Sequence, residues 1–235
     1  IHKTDCSSFF SFCPDTWYNL AMNYSTILLA AGKGSRTHLS YNKVFYKLDS
    51  GKTVLETSLD LFLNDPDCRE VVIVCAEHEI DAMKQLITPD ARIRFATGGE
   101  TRQDSVANGL KEVRNSYVFI HDAARPYLKK ESLADLKDAL QHEDACLLMI
   151  PSIDTVKLVE NGYVVRTPRR DDVFRAQTPQ CFKTSLIRSC HEQAALDRRQ
   201  ATDDAQLVEW YSDVPVRVVT GDEANIKITI PADLK

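Results

Sequence analysis

Lys33, Arg36 and Lys43 set three cations on, or just beyond, a turn that also carries Gly32 and Gly34. The turn follows a short apolar run, Ile27-Leu28-Leu29-Ala30-Ala31, of a length that suits a buried strand. Small residues let a ligand approach the backbone closely. Successive N–H groups in such a turn form a concavity that binds anions. Backbone donors flanked by basic side chains suit a polyphosphate, and hence nucleotide chemistry. Two common phosphate loops do not fit. The dinucleotide fingerprint requires a third glycine where Thr37 stands, and the ATPase loop requires Gly-Lys followed by Ser or Thr.

Two further loops have the same character. One is Gly98-Gly99-Glu100-Thr101-Arg102, and the other is Asp122-Ala123-Ala124-Arg125-Pro126. Four of the eight glycines fall in the first turn and the Gly98 loop, where backbone must come close to something. The elements that position these loops follow from hydrophobic periodicity. Strands are predicted over residues 26–30, 70–75, 92–96, 117–121 and 145–150. Helical spacing of apolar residues appears over 54–63, 78–87, 102–113 and from Ser132 to Leu140. This alternation predicts an α/β fold, with a mostly parallel sheet and helices on both sides. Ligands in such sheets lie beyond the carboxyl ends of the strands, where all three loops fall. Residues 156–165 break the alternation, since two β-rich runs flank Asn161-Gly162, a strong hairpin signal. The hairpin is expected to project as an arm over about residues 152–170. An isolated hairpin is marginally stable, so it is expected to pack on a second subunit. The tail reads as helices over 184–196 and 203–211, then strands over 216–219 and 226–230.

Composition narrows the class. An apolar fraction of 43% supports a real core. No apolar run approaches the roughly 20 residues that span a bilayer, so no membrane partner is expected. The net charge of −5 argues against general nucleic-acid binding, which needs a basic face. The seven cysteines are odd in number and widely spaced, with no C-x-x-C pair, so neither zinc nor a redox dithiol is indicated. Reduced core thiols and a cytoplasmic location are expected. Residues 1–21 show no clean period and match no secretory or transit pattern. They read as an N-terminal extension outside the native fold, with Met22 as the natural start and one domain over 22–235.

The segment from Ala30 to Arg36 resembles the signature loop of nucleotidyltransferases. Over about residues 23–234 the chain resembles the 2-C-methyl-D-erythritol 4-phosphate cytidylyltransferase family. The resemblance is carried by Ala30-Ala31-Gly32-Lys33-Gly34-Ser35-Arg36, Asn42-Lys43, residues 98–106 and His121-Asp122-Ala123-Ala124-Arg125-Pro126. It continues in Asp154-Thr155-Val156-Lys157, Gln177-Thr178-Pro179-Gln180, Thr202-Asp203-Asp204-Ala205 and Asn225-Ile226-Lys227-Ile228-Thr229. Each string is weak alone; eight in the family's order are strong. The resemblance implies a single Rossmann-like domain, a homodimer joined by the arm, and transfer of CMP from CTP to a polyol phosphate. A ribitol-5-phosphate cytidylyltransferase is the nearest alternative. A catalytically silent nucleotide-binding module is the alternative of another class.

The resemblance also implies roles. Arg36 and Lys43 hold the triphosphate, and Lys227 lies near the α-phosphate; these three are the expected catalytic residues. Lys43 is expected on an exposed part of its loop. Ala30, Ala31, Gly32, Gly34, Gly99, Glu100 and Ser105 are expected to bind the nucleotide. Asp122, Arg125, Thr155, Arg170 and Thr178 match acceptor positions, with Arg170 supplied by the other subunit because it follows the arm. Mg²⁺ is the expected cofactor, held mainly by phosphate oxygens and water, with its side-chain ligands left open and Asp122 as a candidate. Asn42 stands where the family frequently has proline and still suits a turn. Without the resemblance, Asp203 and Asp204 read as a helix start after a Thr202 cap. Likewise Arg169-Arg170-Asp171-Asp172 reads as a solvated cluster, and His121 as a structural residue.

Overall fold

Strand β1 (Tyr24–Leu29) is buried along almost its whole length, as a strand covered on both faces must be. The computed structural model describes residues 22–32, 39 and 41–234. The extension at 1–21 and the expected site residues Gly34 and Arg36 lie outside the described residues. β1 pairs in parallel with β2 (Cys68–Cys75) and β4 (Tyr117–Asp122), and β2 pairs in parallel with β3 (Ile93–Thr97). Beyond β4 lie β8 (Phe174–Lys183), β5 (Ala145–Pro151) and β9 (Arg217–Thr220), giving the order β3-β2-β1-β4-β8-β5-β9. Within this sheet, among the described residues, β8 alone runs antiparallel to both of its neighbours.

Alternation along the strands sends side chains to two cores. Leu28, Val71, Ile73 and Phe119 pack with helices α1 (Val54–Leu63), α2 (Ile80–Leu86) and α4 (Lys130–Ala139). Ile27, Val72, Val118 and Ile120 face α3 (Arg102–Glu112), α5 (Thr184–Leu196) and α6 (Asp204–Tyr211). The expected α/β class, with a mostly parallel sheet and helices on both sides, is what the chain adopts.

Two strand expectations differ from the structure. β8 does not show in the sequence pattern because Gln177, Thr178, Pro179 and Gln180 interrupt it. The pairing with β5 jumps there from Leu147↔Gln180 to Met149↔Ala176, so residues 177–179 sit in an irregularity of the ladder. A proline and polar side chains are tolerated at such a break. Conversely, 226–230 is not a strand. Its alternation is real, with Ile228 fully buried, but its neighbour is the loop after β4, which gives a single backbone bond from Ile228 N–H to Ala124. The arm is a two-stranded hairpin of β6 (Leu158–Glu160) and β7 (Tyr163–Arg166). Its turn residues Asn161 and Gly162 have φ of 49° and 84°, as a two-residue primed turn requires.

Candidate active site

The last residue of β1, Leu29, stands in register with the last residue of β4, Asp122. A cavity of about 380 Å³ opens beyond these strand ends. Ala30, Ala31, Gly32, Lys43, Gly99, Glu100, Ser105, Asp122 and Lys227 all line it. Nine expected site residues from four segments of the chain are therefore brought to one place.

The loop after β1 is tied down from both ends. Ala30 N–H donates to Val74 of β2. Asn42 Nδ2 donates to the Ala30 carbonyl at 2.7 Å and to Glu79 Oε2 at 3.0 Å, while its Oδ1 accepts from Val44 N–H. Asn42 thus closes the turn and orients the short 3-10 turn Lys43–Phe45. Lys43 is not the exposed loop lysine that the sequence predicts; it is 8% exposed. Its chain reaches inward, and Nζ donates to the Ile228 carbonyl at 2.5 Å.

The Gly98 loop is shaped by a capping box. Thr101 Oγ1 accepts from Asp104 N–H, and Asp104 returns Oδ2 to Thr101 N–H. Ser105 Oγ donates to the Thr101 carbonyl and accepts from Gly99 N–H at 3.0 Å. A Cβ on Gly98 would stand 2.6 Å from Ala31 Cβ, so glycine is required where the two loops touch. The N-terminal end of α3 points at the cavity, where its dipole favours an anion.

Asp122 is the electrostatic centre. Lys227 Nζ lies 2.7 Å from Oδ2, and Arg102 Nε lies 3.5 Å from Oδ1. Burial resists ionisation of Asp122, but the charges of Arg102 and Lys227 outweigh it and hold the carboxyl well below the usual carboxylate range. Arg102 also donates from Nη1 to Asp204 Oδ2 at 2.7 Å. Burial opposes the guanidinium charge, but Asp204 and Asp122 overcome it and raise its pKa. Burial likewise resists ionisation of Asp204, and Arg102 and His191 depress its pKa in spite of it. His191 Nε2 lies 3.4 Å from Asp204 Oδ1. Arg102 and Asp204 are the site residues that sequence reasoning missed. They occur in quoted strings, yet they read as the starts of two helices. Asp203, not Thr202, caps α6, accepting from Gln206 N–H.

The remaining expected residues sit apart from the lining. Thr178 Oγ1 accepts from Asp122 N–H at 3.1 Å and contacts His121 Nδ1 at 3.0 Å. His121 Nε2 faces the Arg125 carbonyl at 3.1 Å. A carbonyl only accepts, so Nε2 carries the proton and Nδ1 accepts from the Thr178 hydroxyl. Burial keeps this imidazole neutral and lowers its pKa to about 4. His121 is structural, as expected. Arg125 turns its guanidinium to the Asn225 carbonyl, with Nη1 donating at 2.6 Å, and does not line the cavity. Thr155 and Arg170 are exposed and pair with each other, Nη2 to Oγ1, at 3.2 Å. Among the described residues, no cluster of three carboxylate, histidine or cysteine side chains forms a metal cage.

Comparison with known proteins shows the family to which the chain belongs. The family model for 2-C-methyl-D-erythritol 4-phosphate cytidylyltransferase (IspD) matches residues 24–235. The enzyme of that name from Halalkalibacterium halodurans is 38% identical over 217 residues, covering 91% of this chain and 94% of that protein. The one from Geobacillus thermodenitrificans is 40% identical over 218 residues, covering 91% and 94%. The crystal structure of 4-diphosphocytidyl-2C-methyl-D-erythritol synthase from Anaerococcus prevotii superposes with a TM-score of 0.81 at 33% identity. That match covers 91% of this chain and 95% of the other.

Proposed function

The chain belongs to the 2-C-methyl-D-erythritol 4-phosphate cytidylyltransferase family, and on that premise we propose how its residues divide the work. The enzyme transfers CMP from CTP to 2-C-methyl-D-erythritol 4-phosphate and releases pyrophosphate, a step of isoprenoid biosynthesis. One observation carries our reading: Lys43 and Lys227, from opposite ends of the chain, line one cavity together with the glycine loops and Asp122.

An oxygen of the acceptor phosphate attacks the α-phosphorus of CTP. The bond from that phosphorus to the bridging oxygen breaks, and pyrophosphate leaves with the electron pair. No protein nucleophile is needed, so positioning and charge stabilisation carry the catalysis. Lys227 offers three donors. Asp122 takes one, which leaves others for phosphate oxygens. Lys43 is already fixed by its carbonyl contact, so it meets the triphosphate preorganised. In our reading Ala30, Ala31, Gly99, Glu100 and Ser105 surround the base and ribose, and Gly32 offers backbone to the phosphates. Arg36 and Gly34 complete this loop in our reading. The acceptor falls to Asp122 in our reading, with Thr178 and Arg125 behind it.

Mg²⁺ suits this site as a companion of the triphosphate. Most of its ligands would be phosphate oxygens and water, with Asp122 as the side chain able to add one. When bound, it offsets charge on the phosphates.

We further propose a homodimer. Leu158, Val159, Tyr163, Val164 and Val165 on the hairpin are 42–79% exposed, and Ile153 and Phe174 flank it. An apolar arm of this kind calls for a covering partner. No helix of the described residues is long and apolar enough to cross a membrane. Five buried cysteines carry no disulfide, which supports a reducing compartment, in our reading the cytosol.

Pyrophosphate release with CTP tests the reading, run against methylerythritol phosphate, ribitol phosphate and sugar-1-phosphates. Methylerythritol phosphate should be turned over best. Preference for ribitol phosphate would favour the alternative acceptor, and no release with any acceptor would favour a silent module.

A further inference from the structure

The segment that carries Lys227 lacks a sheet to hold it. Residues 221–230 form no strand. The N–H groups of Asn225 and Ile226 are taken by Asp222 and Ala224, carbonyls of the same loop. Such a loop has no ladder to fix a lysine against a carboxylate, yet Lys227 stands 2.7 Å from Asp122.

Beside the bonds that Ile228 makes with Ala124 and Lys43, two carboxamides hold the segment from the side of β8. Asn225 is 1% exposed, and its Nδ2 donates to the Thr178 carbonyl at 3.0 Å and to Gln177 Oε1 at 3.3 Å. Gln177 is 4% exposed and returns Nε2 to the Asp222 carbonyl at 2.8 Å. The approach is close: a Cβ on Gly221 would lie 2.4 Å from Gln177 Oε1. The irregularity in β8 leaves the Thr178 carbonyl outside the ladder with β5, where Asn225 reaches it. It therefore holds both members of the ion pair, Asp122 through Thr178 Oγ1 and Lys227 through Asn225.

Stability alone does not account for this joint. Asn225 Oδ1 and Arg125 Nε are buried there without a hydrogen-bond partner. Each such atom carries a desolvation penalty that an apolar filling would avoid.

We propose that Asn225 is a positioning residue for the transfer reaction. Together with Gln177 it sets the place of Lys227 relative to Asp122 and the α-phosphate. The proposal rests on the reading of Lys227 as a phosphate-binding lysine.

A double-mutant cycle in the full chain tests it, read by pyrophosphate release from CTP and methylerythritol phosphate. Asn225→Ala should lower kcat roughly 10- to 100-fold, as a small misplacement of a reacting group does. Gln177→Ala breaks the same joint from β8 and should act in the same direction, which keeps the test available if Asn225→Ala does not fold. In a Lys227→Ala background, either substitution should change kcat by less than about threefold, because nothing remains to be positioned. If Lys227→Ala is crippled and the joint variants still multiply that loss in full, they act by general damage and the positioning role is overturned. If Lys227→Ala is fully active, the reading of Lys227 falls first and the proposal falls with it.

Discussion

Lys43 Nζ donates at 2.5 Å to the carbonyl of Ile228, the residue that follows Lys227. Two cations far apart in the chain are thereby joined mechanically. Removing Lys43 takes away a phosphate ligand and also one anchor of the segment that carries the other lysine. Lys43→Ala should lower kcat by roughly 10²–10³, the cost of losing a key stabiliser of transition-state charge. Because Lys43 is buried, its thermal midpoint should fall as well, which would not occur for an exposed loop lysine. Near-normal turnover in steady-state assays would remove Lys43 from the catalytic set.

Arg102 keeps Asp122 ionised against burial. Replacing it with methionine leaves the burial and removes the larger of the two opposing charges, so the Asp122 pKa must rise. Protonated Asp122 no longer offers Lys227 a charged partner. The acid limb of kcat/KM for Arg102→Met should therefore shift to higher pH than in the wild type. Superimposable pH profiles would show that Arg102 does not control this carboxyl.

Some of this site is legible in the sequence because its chemistry sits in short local strings. Gly98-Gly99 marks a place where backbone must come close to something, and the structure sets Gly98 against Ala31. Asn42 reads as a turn former and is one. Arg102–Asp204 is not legible in the same way, because each residue looks complete as part of a helix start, and their pairing spans 102 positions. β8 hides for another reason. Its proline and glutamines argue against a strand, and only the sheet shows that the ladder breaks at that point. The alternation at 226–230 misleads in the opposite direction, since one buried isoleucine against a loop produces the same pattern as an edge strand.

His121 should make stability depend on pH. Its folded pKa, about 4, lies below the ordinary value of 6.5. Between these values the unfolded chain binds a proton that the folded chain excludes. The favourable contribution is therefore whole above pH 6.5 and is lost as pH falls toward 4, by on the order of 3 kcal/mol. Urea unfolding across this window should give a shallower pH slope for His121→Gln than for the wild type. Equal slopes would mean that the buried imidazole is not the source.

The arm places Arg170 where its own cavity does not use it. Arg170 is exposed, bonds Thr155, and is absent from the cavity lining. If the hairpin crosses a two-fold axis, the Arg170–Thr155 pair enters the neighbour's acceptor site, where a guanidinium can grip a phosphate with two donors. Arg170→Ala should then raise the KM for methylerythritol phosphate more than that for CTP. Mixing subunits gives the sharper test. Arg170→Ala spoils the neighbour's site, while Lys43→Ala spoils the subunit's own. In a mixed dimer both defects fall on one site and the other is intact. Two crippled homodimers should thus recover activity on subunit exchange, up to about half that of a wild-type dimer for each mixed pair. Exchange that is demonstrated by mass yet brings no recovery would place Arg170 in its own chain's site or outside the reaction, and the arm would then serve assembly alone.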